Sequence, residues 1–170
     1  LVSSAASDVY KRQVVAYGKI LPKKLLNIQD IKFINVHASL LPKWRGAAPI
    51  QRSIMNLDKE TGISIMKIVS KLDAGPVMMK SKINLSKDDN YESVNKKLSI
   101  LGANMIVESL KLIEQNKFKF VEQDENLASY AKKINKSEAE INWNEKAKKI
   151  IAKINAFYPS PGSWFKHNGS

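Results

Sequence analysis

Phe33-Ile34-Asn35-Val36-His37-Ala38-Ser39-Leu40-Leu41-Pro42-Lys43-Trp44-Arg45-Gly46 begins as a strand and ends as a loop. Phe33 to His37 alternates as a half-buried strand does. Pro42 and Gly46 punctuate the loop from Ser39 to Gly46, and Ala47 to Met55 reads as a helix. Upstream, Val14-Val15-Ala16 reads as the end of a buried strand, with Tyr17-Gly18 as its exit turn. Leu21-Pro22 opens a short helix, Pro22 suiting a first turn. Downstream, Ile63 to Val69 and Pro76 to Ile83 are β-branched or apolar runs close enough to form a hairpin-like pair. Strands that alternate with helices predict a layered α/β domain.

After the paired strands, Asp89 with Glu92 three residues on has capping-box spacing. The helix that follows places Val94, Leu98, Leu101, Met105, Leu110 and Ile113 on one stripe. Asn116 to Tyr130 is polar and reads as a connector. Asn144 is a candidate cap for a last helix with Ala147, Ile150, Ile151, Ile154 and Phe157 at helical spacing, stopped by Pro159, Pro161 and Gly162. Trp143 and Trp164 read as core aromatics.

Composition narrows the class. A 170-residue chain that is 44% hydrophobic can build a core. It has no cysteine, which excludes disulfides and thiolate metal sites and makes a reducing cytoplasm the default compartment. No apolar run is long enough to span a membrane, and Leu1 to Gln13 lacks the apolar core of a secretory signal. The net charge of +12 fits either a nucleic-acid partner or solvated lysine from coding bias. Of 28 basic residues only Arg12, Arg45 and Arg52 are arginine.

The chemistry-bearing residues cluster in the opening stretch. Asn35 and His37, two apart on a strand, share a face. They lie at its carboxyl end, where open α/β sheets bind ligands. An amide and an imidazole converging there can stabilise an oxyanion, and they can equally be local hydrogen-bonding partners. With only His37 and His167 in the chain, a multi-histidine metal site is not expected. Asp73, in the turn between the paired strands, either caps that turn or orients His37 and accepts a proton.

Asn35-x-His37 followed by Ser39-Leu40-Leu41-Pro42, Arg45-Gly46 and Leu72-Asp73-x-Gly75 resembles the formyltransferase family that uses 10-formyltetrahydrofolate. Gly46-Ala47-Ala48-Pro49-Ile50-Gln51-Arg52 is similar to its methionyl-tRNA branch. The glycinamide ribonucleotide branch usually has a further histidine where this chain has Ala48-Pro49. Gln123-Asp124-Glu125, Tyr130 to Ile134, Glu138 to Trp143 and Ala156 to Trp164 resemble the connector and the start of the C-terminal domain of that methionyl-tRNA branch.

The resemblance implies a Rossmann-like formyltransferase domain, with its N-terminal half absent, followed by the beginning of a barrel-like (OB-type) domain. The expected division is an unmatched extension at 1–13, catalytic domain at 14–116, linker at 117–135 and C-terminal domain from 136 to 170. The implied reaction is formyl transfer from 10-formyltetrahydrofolate to methionyl-tRNA at translation initiation. Asn35 and His37 would hold the oxyanion and Asp73 would position His37. Ser39, Leu40, Leu41 and Pro42 would line the folate site, and no metal is implied. The partner is initiator tRNA, the compartment the cytoplasm, and the full-length enzyme a monomer with no membrane contact. The alternatives are a sugar-nucleotide formyltransferase and a non-catalytic basic tRNA-binding fragment, and the chain alone is expected to be inactive.

Overall fold

The computed structural model describes residues 11–14, 23–26 and 32–167. In chain order the elements are β1 (Lys11–Val14), α1 (Lys23–Leu26), β2 (Lys32–His37), β3 (Arg45–Gly46), α2 (Pro49–Met55), β4 (Glu60–Lys67), β5 (Val77–Asn84), α3 (Tyr91–Glu114), β6 (Tyr130–Ala131) and α4 (Ala147–Phe157). Val15-Ala16, Tyr17-Gly18 and Leu21-Pro22, expected to end a strand and open a helix, lie outside the described residues.

Four strands form one sheet in the order β1-β2-β4-β5. β1 runs parallel to β2, with Val14 opposite Asn35. A parallel neighbour needs a crossover between the two strands, and α1 falls within that span. β4 is antiparallel to β2, and β5 is antiparallel to β4, so the expected hairpin pair is real and the sheet is mixed. β1 begins at Lys11, ahead of the expected Val14, so strand pairing reaches into the segment set apart as an unmatched extension.

Alternation divides the sheet cleanly. Ile63 and Ile65 of β4 join Val94, Leu98 and Met105 of α3, Ile50 and Ile54 of α2, and Ala156 and Phe157 of α4 in the main core. The opposite face carries a smaller cluster of Leu41, Met66 and Val77. Phe157 is completely buried. Truncating a buried Phe to Ala costs about 3–5 kcal/mol, so α4 is a structural part of the core.

Several local expectations need correction. α3 is capped by Asn90, whose side chain accepts from Ser93 N at 2.9 Å in a capping box with Ser93. Asp89 is instead taken up by Lys97 at 2.6 Å and by Ser86 N at 2.9 Å. The buried stripe of α3 is Val94, Leu98, Gly102, Met105, Ser109 and Ile113. Gly102 replaces Leu101 where a Cβ would come within 3.1 Å of Val36, and Ser109 replaces Leu110, its hydroxyl reaching the Met79 sulfur at 3.1 Å.

α2 starts at Pro49, two residues after the expected Ala47, with proline in its first turn. α4 starts after Lys146, not Asn144, and buries Ala152, Ala156 and Phe157. Ile151 and Ile154 are 54% and 41% exposed. Trp143 is 63% exposed, its ring edge-on to Phe165 with centroids 5.4 Å apart, and Trp164 is exposed as well. Neither is a core aromatic.

Candidate active site

Strand register assembles the site. His37 of β2 lies opposite Ser64 of β4, and Ser64 lies opposite Lys80 of β5. Cross-strand partners point to the same face, so these three form a row on the face away from α3. Asn35 lies two residues back on that face, as its spacing required.

The loop after β2 folds over this row. Ser64 Oγ donates to Ser39 O at 2.7 Å and accepts from Leu41 N at 3.1 Å. Lys80 Nζ donates to Leu41 O. Ser39 Oγ donates to Lys43 O at 2.6 Å, Lys43 N to Leu40 O at 3.1 Å, and Ser129 N to Pro42 O at 3.2 Å. Each carbonyl from Ser39 to Pro42 therefore already accepts one hydrogen bond. Ser39 and Leu41 are buried, while Leu40 and Pro42 are half-buried.

His37 is 6% exposed. Its Nε2 lies 2.9 Å from Trp44 O, and its Nδ1 lies 3.8 Å from Asp73 Oδ2. Both nitrogens thus face acceptors, and a neutral imidazole can donate to only one of them. Thirty-six residues of chain separate His37 from Asp73, and the β4–β5 turn closes that gap. Asp73 Oδ2 also accepts from Gly46 N at 2.8 Å, and Oδ1 has no partner among the described residues. The Asn35 amide, half-buried, makes no hydrogen bond among the described residues.

Sequence reading placed Arg45, Gln123 and Glu125 in family-like stretches but gave none of them a part in bracing this turn. Arg45 is fully buried. It donates to Gln123 Oε1 from Nε and Nη2 at 3.0 and 2.9 Å, and to Glu125 from Nη1 and Nη2 at 3.2 and 3.0 Å. Burial alone works to lower the Arg45 pKa; hydrogen bonds to Glu125 and Tyr130 reverse that and hold it above the ordinary value. Hydrogen bonds from Arg45 and then Lys71 hold the Glu125 carboxyl down to about 2. β3 pairs in parallel with β6, so the presumed connector is hydrogen-bonded to the site loop.

The available signal was arginine itself. In a chain that uses lysine almost everywhere, an arginine marks a place that needs a planar fork. Arg52 behaves likewise, pairing with Glu138 at 2.6 and 3.1 Å. Among the described residues no group of three or more His, Cys, Asp and Glu side chains could hold a metal ion, and no helix is long and apolar enough to cross a membrane.

Comparison with known proteins gives the family. The family model for formyl transferase matches residues 3–110, and that for the formyl transferase C-terminal domain matches residues 133–170. The first match takes in most of the segment at 1–13 that sequence reading set apart as unmatched. The chain is 60% identical over 152 residues to a methionyl-tRNA formyltransferase of Pelagibacter ubique, covering 89% of this chain and 49% of that protein. It is 51% identical to one from Dictyoglomus thermophilum, covering 88% and 48%. The chain thus spans about half the length of the curated relatives it matches.

Among solved structures it is similar to HypX from Aquifex aeolicus in complex with tetrahydrofolic acid (TM-score 0.80, 18% identity, 94% of this chain and 28% of that one). It is also similar to a 4-N formyltransferase from Francisella tularensis (TM-score 0.80, 21% identity, 94% and 66%). At such identities the likeness establishes the fold, which is the Rossmann-like one of formyltransferases.

Proposed function

The chain belongs to the formyl transferase family, and from that premise we propose that the protein carrying it transfers a formyl group from 10-formyltetrahydrofolate to the α-amino group of methionine on initiator tRNA. The observation that carries the reaction is the approach of Asp73 to His37 at the end of β2, with Asn35 on the same face of that strand. The choice of acceptor rests on the 60% and 51% identity to methionyl-tRNA formyltransferases.

The residues divide the work by what each has free. The amine nitrogen bonds to the formyl carbon, the carbonyl oxygen takes up negative charge, and the bond to the carrier's nitrogen then breaks as that nitrogen takes a proton. The Asn35 amide, which makes no hydrogen bond among the described residues, donates to the developing oxyanion. His37 can join it only by exchanging the Trp44 carbonyl for that oxygen at Nε2. Asp73 holds the other side of the ring, and its Oδ1, unengaged among the described residues, takes the proton the amine must lose. Leu40 and Pro42 are half-buried where Ser39 and Leu41 are buried, so this loop meets the folate chiefly through the Leu40 and Pro42 side chains.

The catalytic domain continues to about residue 116, 117–135 connects, and residues from 136 on begin a barrel-like (OB-type) domain. The parallel bridge between Glu140 and Trp164 and the C-terminal family match from residue 133 support that division. The enzyme acts in the cytoplasm as a monomer, without a metal and away from membranes.

The test is formyl transfer by the intact protein to charged initiator tRNA, beside an amino-sugar nucleotide as rival acceptor. Asn35→Ala should lower kcat by about 100- to 1,000-fold, the usual loss for one oxyanion donor, with His37→Ala comparable. Turnover of both variants within a few fold of wild type would overturn the site. Preference for the sugar nucleotide would overturn the acceptor, and tRNA binding without turnover would leave only the binding role.

A further inference from the structure

We propose that Gln123 is a positioning residue for Asp73: from the connector it clamps the turn that carries Asp73 and so fixes that carboxylate against His37. The inference rests on the reaction proposed above and adds to it a residue 50 positions from Asp73.

The Gln123 amide spends all its polar capacity on two pieces of the site. Its Nε2 donates to Asp73 O at 2.9 Å and to Gly75 O at 2.6 Å. Its Oε1 accepts from Arg45 Nε at 3.0 Å and Nη2 at 2.9 Å. Only one orientation of the amide works, because a flip would set oxygen against two carbonyls and NH2 against a guanidinium. The side chain is therefore fixed at both ends.

Both ends lead to the same carboxylate. Asp73 has φ +44°, a left-handed conformation uncommon for a residue with a Cβ, which persists only where its surroundings enforce it. Two of the enforcing contacts are the Gln123 hydrogen bonds to the turn. At the other end Arg45 is buried, and the next residue, Gly46, donates its N–H to Asp73 Oδ2 at 2.8 Å. Gln123 thus sets the Asp73 main chain directly and its carboxylate through Arg45-Gly46. The gap it controls is the 3.8 Å between Asp73 Oδ2 and His37 Nδ1, where a small displacement changes the interaction.

A glutamine that merely tied the connector down would affect stability and leave the chemistry alone. A positioning residue should lower kcat more than it alters KM for either substrate. Two variants of the intact enzyme separate these. Gln123→Leu removes both contacts. Gln123→Glu keeps the size and the Arg45 contact but sets a carboxylate against the two turn carbonyls. Each should lower kcat by roughly 10- to 100-fold, since an ångström of misplacement costs on the order of 100-fold. KM should stay within about threefold, and the pH–rate profile should move toward that of Asp73→Ala. In an Asp73→Ala background Gln123→Glu should add nothing further.

Gln123→Glu within twofold of wild-type kcat, or a loss that multiplies with that of Asp73→Ala, would overturn the proposal. If wild type shows no formyl transfer to charged tRNA, the function proposed above is what fails. The clamp is then judged by the His37 ring resonances in an NMR titration. These should be displaced in Gln123→Glu in the same sense as in Asp73→Ala, and unchanged resonances would overturn it.

Discussion

Replacing Asp89 with Asn tests how the start of α3 is held. Asp89 is 7% exposed and accepts from Ser86 N at 2.9 Å, Ser93 Oγ at 2.8 Å and Lys97 Nζ at 2.6 Å. Burial alone pushes its pKa up; the Lys97, Ser86 and Ser93 hydrogen bonds outweigh that and hold it at about 2, against an ordinary 3.8. At about 1.4 kcal/mol per pH unit, that difference amounts to roughly 2 kcal/mol of stability. Lys97 is 49% exposed, so its share is screened and the figure is a ceiling. The folded pKa is depressed, so this stability is fully present above about pH 4 and is lost as pH falls through about 2. Urea melts of wild type and Asp89→Asn should differ by about 1–2 kcal/mol at pH 7, and the difference should shrink steadily below pH 4. The N-cap of α3, Asn90, is untouched, so helix content should not change. A difference that stays constant from pH 7 to pH 2.5, or one below about 0.5 kcal/mol at pH 7, would refute the reasoning.

Two further outcomes are expected. Gly75→Ala places a Cβ 1.8 Å from the Lys67 carbonyl oxygen, and backbone must move to admit it. It should cost about 1–3 kcal/mol in a denaturant melt and reduce formyl transfer by shifting Asp73, so an unchanged melt would contradict the close approach. If the exposed lysines after residue 130 meet tRNA phosphates, Lys133→Gln and Lys148→Gln should each weaken binding and reduce the slope of log affinity against log salt by about 1. A salt-insensitive affinity would assign the +12 charge to solvation alone.

Much of the frame was legible because it rests on local signals. β2, the loop behind Pro42 and Gly46, and the β4–β5 pair all follow from alternation and punctuation. The shared face of Asn35 and His37 follows from strand period. The approach of His37 to Asp73 does not, since it depends on which strands pair and in what register, a non-local choice. At the start of α3 the spacing pointed to Asp89, but Asp89 is engaged by Lys97, Ser86 and Ser93, and the adjacent Asn90 takes the cap. α4 offered an isoleucine face and an alanine face at helical spacing. Close packing on α2 favours the smaller side chains of Ala152 and Ala156. The connector looked inert because its function lies in backbone pairing and one amide, neither of which leaves a periodic trace.

That pairing has a consequence for how the site comes into being on the ribosome. Asn35, His37 and Asp73 are all made before the chain reaches Gln123, which lies 50 residues beyond Asp73. At about 5–20 residues per second, the delay is roughly 3 to 10 s, long compared with the time hairpins need to form. For that interval the nascent chain has Asn35, His37 and Asp73 but neither the amide that braces the Asp73 turn nor β6 beside the Arg45 loop. Each molecule therefore passes through a stage at which its chemistry is written but its geometry is not. Synonymous codons that slow translation between residues 73 and 123 would lengthen that stage without altering the finished protein.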